Sequence, residues 1–195
     1  NVEGTLNVLR SAQRVGVSSF INISTDKAAN PLNTLGKSKR LAEHLTSWFG
    51  ANSGKPYVSV RFGNVLGSRG SLIPILVEQI SQGGQVTLTD AKATRYFMSI
   101  PEACQLVLQA ASGGTIGDIL VLDMGDPVRI QEIAEKMIEL SGRDIEIVYS
   151  GLRPGEKLHE DLLEDGETLV PSEYPKIFRI RSEAKSPEEV LAQEW

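Results

Sequence analysis

The stretch Ser19-Phe-Ile-Asn-Ile-Ser24 is short, rich in β-forming residues and closed by the polar run Thr25-Asp26-Lys27. A run this apolar suits a buried parallel strand rather than an exposed edge. Pro31 then restricts Asn30 to extended geometry. From Leu35 to Phe49 the pattern turns helical, with Leu41, Leu45, Trp48 and Phe49 on the buried face. Tyr57-Val-Ser-Val-Arg-Phe62 is a strand again, closed by Gly63. Strand, helix and strand joined by short connections indicate an α/β layered fold with a mainly parallel sheet.

The pattern continues on both sides. Upstream, Val2, Leu6, Leu9, Ala12 and Val15 recur at helical spacing, and Gly16 ends that helix. Downstream, helices are expected over 72–82, 101–111 and 130–141, with Pro101 in a first turn. Strands are expected over 86–89, 119–123, 145–149 and 177–180, and a short helix near 157–163. The charged segment after Ser182 reads as a solvated, weakly ordered tail.

Composition sets the outer limits. With 195 residues, 41% hydrophobic and 23% charged, the chain can bury a sizeable core. A formal charge of -5 leaves no excess of Lys and Arg to neutralise nucleic-acid phosphates, so no nucleic-acid partner is expected. The single cysteine, Cys104, excludes an internal disulfide and a Cys-based metal site. His44 and His159 lack metal-ligand spacing, and both read as surface or satisfied structural histidines. No apolar run reaches membrane-spanning length, so a cytoplasmic location is expected. The chain starts at Asn1 on an amphipathic helix rather than on an opening strand, and reads as a piece of a longer protein.

In open α/β sheets ligands sit beyond the carboxyl ends of the strands. There, Ser24-Thr-Asp-Lys27 brings a hydroxyl, a carboxylate and an ammonium together. The structural alternative is a plain turn in which Thr25 or Asp26 bonds the backbone. Lys39 lies four residues after Leu35 and shares its helix face. A strand-end hydroxyl and a lysine on the next helix are the pieces of a short-chain dehydrogenase site.

Ser24-Thr-Asp-Lys-Ala-Ala-Asn-Pro31, Gly36-Lys-Ser-Lys-Arg-Leu-Ala-Glu43 and Arg61-Phe-Gly-Asn-Val-Leu-Gly-Ser-Arg-Gly70 resemble the polysaccharide-biosynthesis branch of the extended short-chain dehydrogenases/reductases. So do Thr94-Arg-Tyr-Phe-Met-Ser-Ile-Pro-Glu102, Leu122-Asp-Met-Gly125 and Gly151-Leu-Arg-Pro-Gly-Glu-Lys157. The resemblance runs from Asn1 to about Leu163. It implies the C-terminal part of an NAD(P)-binding Rossmann-like doubly wound sheet (residues 1–125), a small substrate lobe (126–181) and a tail (182–195).

The resemblance also implies an activity, that of a UDP-N-acetylglucosamine 4,6-dehydratase using NADP or NAD on a UDP-sugar. On that pattern Lys27 takes the C5 proton, Asp26 protonates the departing C6 hydroxyl, and Thr25 hydrogen-bonds the reacting O4. A lysine can be a base only where burial and neighbouring positive charge disfavour its ammonium form. The cofactor contacts implied are Ser24, Lys39, Phe62, Gly63, Asn64 and Val65. The substrate contacts are Asn64, Arg69, Ser71, Pro74, Arg95, Arg153 and Glu156, the arginines as diphosphate forks. Each has an ordinary alternative: solvated arginines, helix capping by Ser71, and a surface pair of Glu156 with Lys157. A homo-oligomer is expected of the full-length parent.

Two departures stand out. The tyrosine of the usual Tyr-x-x-x-Lys signature falls at Leu35, which has no proton to exchange. That counts against a 4-epimerase or reductase and leaves Thr25, Asp26 or a ribose hydroxyl to relay the O4 proton. The glycine-rich loop that holds the dinucleotide pyrophosphate is not in this sequence, so the chain by itself is expected to bind cofactor poorly and to self-associate. A non-catalytic nucleotide-sugar-binding homologue is the remaining alternative, against which the joint presence of Asp26, Lys27 and Lys39 speaks.

Overall fold

The computed structural model describes residues 1–68 and 70–193. In chain order the elements are α1 (Val2–Val15), β1 (Phe20–Ile23), α2 (Thr34–Ser53), β2 (Tyr57–Arg61), β3 (Asn64–Val65), α3 (Leu72–Gln82), β4 (Val86–Leu88), β5 (Thr94–Arg95) and β6 (Phe97–Met98). They continue with α4 (Ile100–Gly113), β7 (Asp118–Leu122), β8 (Val128–Arg129), α5 (Ile130–Ser141), β9 (Ile147–Tyr149), β10 (Val170–Pro171), β11 (Ile177–Arg181) and α6 (Pro187–Leu191).

These elements form two compact units that interleave in sequence instead of meeting once near residue 125. One comprises 1–62, 104–123 and 161–195; the other 63–103 and 124–160. The first holds a five-stranded sheet in the order β1-β2-β7-β11-β10. β1, β2 and β7 run parallel, whereas β11 and β10 add antiparallel pairings. All five residues of β2 and of β7 are buried, Ser59, Arg61 and Asp118 included. β1 differs from its expected place. It is parallel, but it ends the sheet and Ile23 is 44% exposed.

The apolar stripe of α1 (Val2, Leu6, Leu9, Ala12) packs on Leu41, Leu45 and Phe49 of α2 and on Tyr57. Gly16 closes α1 in the left-handed conformation (φ 75°), donating its N–H to the Ala12 and Gln13 carbonyls. Val190 of α6 is fully buried in the same cluster. Pro187 and Val190 are thus packed within a segment expected to be wholly solvated. Ser186 and Glu189 form a capping box that starts α6.

In the second unit, β4 pairs parallel with β9, β3 with β6, and β5 antiparallel with β8. Leu76 and Ile80 of α3 meet Ala134 and Met137 of α5 over Val86 and Leu88.

The expected helix near 157–163 is loop. Its carbonyls are engaged elsewhere: Leu158 O accepts from Thr94 N (3.0 Å) and Leu162 O from Arg61 Nη1 (3.2 Å). Asn30 is also not extended, with φ 42°. Asparagine tolerates this region, and its amide is held by Asp165, donating to Oδ1 at 3.3 Å and accepting from the backbone N at 3.2 Å.

Candidate active site

Where β1 stops, the parallel ladder runs on for two more bonds. Ser24 N donates to Val60 O (2.8 Å) and Asp26 N to Phe62 O (3.2 Å). These bonds hold the Ser24–Lys27 segment over the end of the sheet. A single 3-10 turn follows at Asp26–Ala28, capped by Thr25 Oγ1, which accepts from Lys27 N at 3.4 Å.

Asp26 is completely buried, and its Oδ1 accepts from Thr25 Oγ1 (2.8 Å) and Lys27 Nζ (2.9 Å). Its Oδ2 is enclosed with no partner among the described residues. A carboxylate oxygen left so costs on the order of 1–3 kcal/mol.

Gly36, in the first turn of α2, explains one motif position. A Cβ there would lie 2.3 Å from Lys27 O and 3.0 Å from Pro31 Cβ. Only glycine lets α2 approach the turn this closely. Asn33 caps the helix, accepting from Gly36 N at 2.9 Å. One turn on, Lys39 Nζ donates to Ile23 O at 3.0 Å, beside the strand end. Leu35 shares that face and is 51% exposed.

Beneath the turn lies a buried charge cluster that the sequence motifs do not mark as a unit. Ser24 Oγ donates to Glu43 Oε1 at 2.6 Å. Arg61 grips Glu43 through Nε (2.8 Å) and Nη2 (2.7 Å), then reaches Glu167 Oε2 through Nη1 (2.7 Å). Arg40 donates to Glu43 Oε2 (3.1 Å), to Glu167 Oε1 (2.8 Å) and to Glu164. Burial alone would drive the Arg61 proton off, but the hydrogen bonds and charges of Glu43 and Glu167 outweigh it and raise its pKa. Burial likewise opposes ionisation of Glu167, and the Arg61 hydrogen bonds, the Glu164 N–H and the two arginine charges hold its carboxyl below the usual range. An arginine closing a buried strand is the available signal, because such a charge requires a partner.

His44 is buried and bonds the Glu183 carbonyl through Nδ1 at 2.5 Å. Desolvation lowers its pKa despite that bond, with Arg40 and Lys185 adding to the effect. His159 meets Thr94 Oγ1 at 2.8 Å. No group of side chains suited to a metal ion occurs among the described residues.

The expected site residues divide between the units. Ser24, Thr25, Asp26, Lys27, Lys39 and Phe62 belong to the first; Gly63, Asn64, Val65, Ser71, Pro74, Arg95, Arg153 and Glu156 belong to the second. Arg69 lies outside the described residues. Asn64 and Val65 form β3, with Asn64 N donating to Tyr96 O at 2.8 Å. Ser71 is the N-cap position of α3 without a side-chain cap bond, and Pro74 is exposed in its first turn. Arg95 is nearly enclosed, donating to Thr94 O (2.7 Å), Leu158 O (3.1 Å) and Glu156 Oε1 (3.3 Å). Arg153 is exposed on the Pro154–Gly155 turn, where Glu156 N donates to its carbonyl at 2.9 Å.

A hydroxyl, an acid and a lysine at a parallel strand end, backed by a lysine on the next helix, sit on a Rossmann-like sheet of the short-chain dehydrogenase/reductase type. The chain belongs to the polysaccharide biosynthesis protein family of that superfamily, whose pattern matches residues 1–182.

It is 51% identical over 183 residues to the capsular polysaccharide biosynthesis protein CapD of Staphylococcus aureus, covering 92% of this chain and 31% of that protein. It is 38% identical to a UDP-glucose 4-epimerase of Rickettsia rickettsii, covering 92% of this chain and 53% of that protein. The chain thus spans about a third to a half of the length of these relatives. Among solved structures, Pen from Bacillus thuringiensis matches with a TM-score of 0.84 and 33% identity, over 95% of this chain and 60% of that one. DesIV, a dTDP-glucose 4,6-dehydratase of Streptomyces venezuelae solved with NAD and TYD, matches at a TM-score of 0.75 and 21% identity, over 83% and 56%. At that identity the likeness shows the fold alone. No helix among the described residues is long and apolar enough to cross a membrane.

Proposed function

We propose that this chain carries the acid–base centre and much of the sugar-nucleotide contact surface of a 4,6-dehydratase. Its substrate would be UDP-N-acetylglucosamine, and its product a UDP-4-keto-6-deoxy sugar for surface polysaccharide. The observation that carries the reading is the Thr25–Asp26–Lys27 turn, with one Asp26 oxygen bonded to Lys27 and the other enclosed without a partner.

The pair can arm itself. Moving one proton across the 2.9 Å contact from Lys27 Nζ to Asp26 Oδ1 yields a neutral amine and a carboxylic acid together. Lys27 then takes the C5 proton of a 4-keto sugar while Asp26 gives its proton to the C6 hydroxyl leaving as water. Thr25 Oγ1, bonded to Asp26, donates to O4 once it turns toward the sugar. NAD or NADP, when bound, would accept the hydride from C4 as Thr25, Asp26 or a ribose hydroxyl relays the O4 proton away, and would return it to C6 as the Lys27 ammonium gives a proton back to C5. Lys39 suits the nicotinamide ribose, since its ammonium has three donors and one is placed on Ile23 O. Ser24, Phe62, Gly63, Asn64 and Val65 complete the cofactor contacts in this proposal. Asn64, Arg69, Ser71, Pro74, Arg95, Arg153 and Glu156 would contact the UDP-sugar in this proposal.

A 4-epimerase is the second reading, favoured by the name of the Rickettsia relative. Leu35 opposes it, because epimerisation needs an exchangeable proton where this chain carries an alkyl group. Incubation of the full-length enzyme with UDP-N-acetylglucosamine separates the two. Loss of one water supports the dehydratase. Unchanged mass with inverted C4 configuration overturns it.

A further inference from the structure

The geometry points to Glu43 and Ser24 as positioning residues that hold the Thr25–Asp26–Lys27 turn in register for proton transfer; the inference rests on the dehydratase reading above. Ser24 is 5% exposed, and its hydroxyl hydrogen goes to Glu43 Oε1 at 2.6 Å. That direction of donation commits the hydroxyl to the protein interior. The hydroxyl then fixes the backbone one residue before the reacting side chains, and only the Ser24 backbone is left for the cofactor contact proposed above.

Glu43 is a suitable anchor because every one of its acceptor directions is used. Oε1 takes Ser24 Oγ and Arg61 Nε, and Oε2 takes Arg61 Nη2 and Arg40 Nη1. It therefore bridges the end of β1 to the last residue of β2. Arg61 passes the constraint on to Leu162 O and Glu167, so the 162–167 segment is pinned to the same carboxylate.

The energetics argue for geometry over stability. Glu43 and Arg61 are both wholly buried. Desolvation of such a pair offsets most of its attraction, and apolar residues of equal volume commonly give equal or greater stability. What apolar residues cannot give is a directional contact at the Ser24 hydroxyl. The turn that depends on it holds the Lys27–Asp26 contact through which the proposed proton transfer runs.

The test uses the full-length enzyme and separates kcat from KM. Ser24→Ala removes one hydroxyl and leaves the Glu43–Arg61 pair in place. It is expected to lower kcat by about tenfold to a hundredfold, since small misplacements of reacting groups have effects of that order. KM for the nucleotide sugar should stay within about twofold, as a loss confined to the chemical step requires. Glu164→Gln, which weakens the outer part of the same cluster, should leave kcat within about twofold. The pH profile of kcat should shift in Ser24→Ala only.

The proposal is overturned if Ser24→Ala retains parental kcat, or if both variants lose kcat alike, which would make the cluster structural only. Should Ser24→Ala not fold, Ser24→Cys, with its weaker donor, must show the kcat loss; parental turnover there overturns the proposal equally. Lys27→Ala run in parallel keeps the two readings apart. Retained turnover in that variant sinks the dehydratase mechanism itself. Abolished turnover there with an unaffected Ser24→Ala sinks only the positioning role.

Discussion

Replacing Arg61 by Met probes the buried cluster most sharply. Arg61 has no solvent exposure, and its guanidinium donates to Glu43, Glu167 and Leu162 O. Methionine keeps the apolar length but leaves Glu43 with only its Ser24 and Arg40 donors. Breaking a buried ion pair from one side costs about 3–5 kcal/mol, because the remaining charge is stranded. For a chain of this size each kcal/mol lowers the melting temperature by about 2–4 °C, giving a fall of roughly 6–20 °C. Glu43→Leu alone leaves Arg61 with only Glu167 and Leu162 O. The double variant strands neither as severely, since Glu167 keeps Arg40 and the Glu164 N–H. Calorimetric melting of the parent, the two single variants and the double variant completes the cycle. The double variant should be more stable than the summed losses by at least about 1.5 kcal/mol. An Arg61→Met melting temperature within about 2 °C of the parent, or additivity within about 0.5 kcal/mol, would refute the picture of a coupled buried cluster.

Three further outcomes are expected. Asp26→Asn preserves an acceptor for Thr25 and Lys27 but removes the transferable proton; kcat should fall by about a hundredfold to ten-thousandfold with melting little changed, and a smaller loss would remove Asp26 from proton transfer. Gly36→Ala must displace the Lys27 carbonyl, which its new Cβ would otherwise meet at 2.3 Å; both stability and turnover should drop, and parental kinetics would show the contact to be relaxed freely. Glu167 has a lowered folded pKa, so its stabilisation is present above the ordinary carboxylate range and is lost as pH falls through the lowered value. Glu167→Gln should therefore flatten the acid side of a melting-temperature profile while lowering its neutral plateau, and an unchanged acid slope would contradict the assignment.

Much of this architecture was legible in the sequence, because periodicity reports burial directly. The stripe of α1, the fully buried β2 and β7 and the bounds of α3 and α5 match their sequence patterns to within a residue or two. What failed did so for tertiary reasons. The edge position of β1 depends on strand order, which composition does not encode. Residues 157–163 have helical apolar spacing, yet Leu158 and Leu162 offer their carbonyls to Thr94 and Arg61 instead. Asn30 is turned by Asp165, a residue 135 positions away. The Ser186-x-x-Glu189 capping box that starts α6 also stood in the sequence, before an apolar pair, but the charge around it led to the expectation of a solvated tail.

At the site, the motif residues of the turn and Lys39 lie together at one strand end, as spacing suggested. Glu43 and Arg61 stood inside the quoted motifs without a visible role, since their partnership depends on α2 crossing the ends of two strands. Glu167 belonged to no motif at all.

The most direct test of the acid–base claim is deuterium incorporation. The full-length enzyme would be turned over on UDP-N-acetylglucosamine in D₂O, and the product analysed by mass spectrometry and NMR, for the parent and for Lys27→Ala. The expected result is loss of water with solvent deuterium at C5 in the parent, and no C5 deuterium with turnover abolished in Lys27→Ala. Parental product without C5 deuterium, or undiminished C5 exchange in Lys27→Ala, would contradict Lys27 as the base.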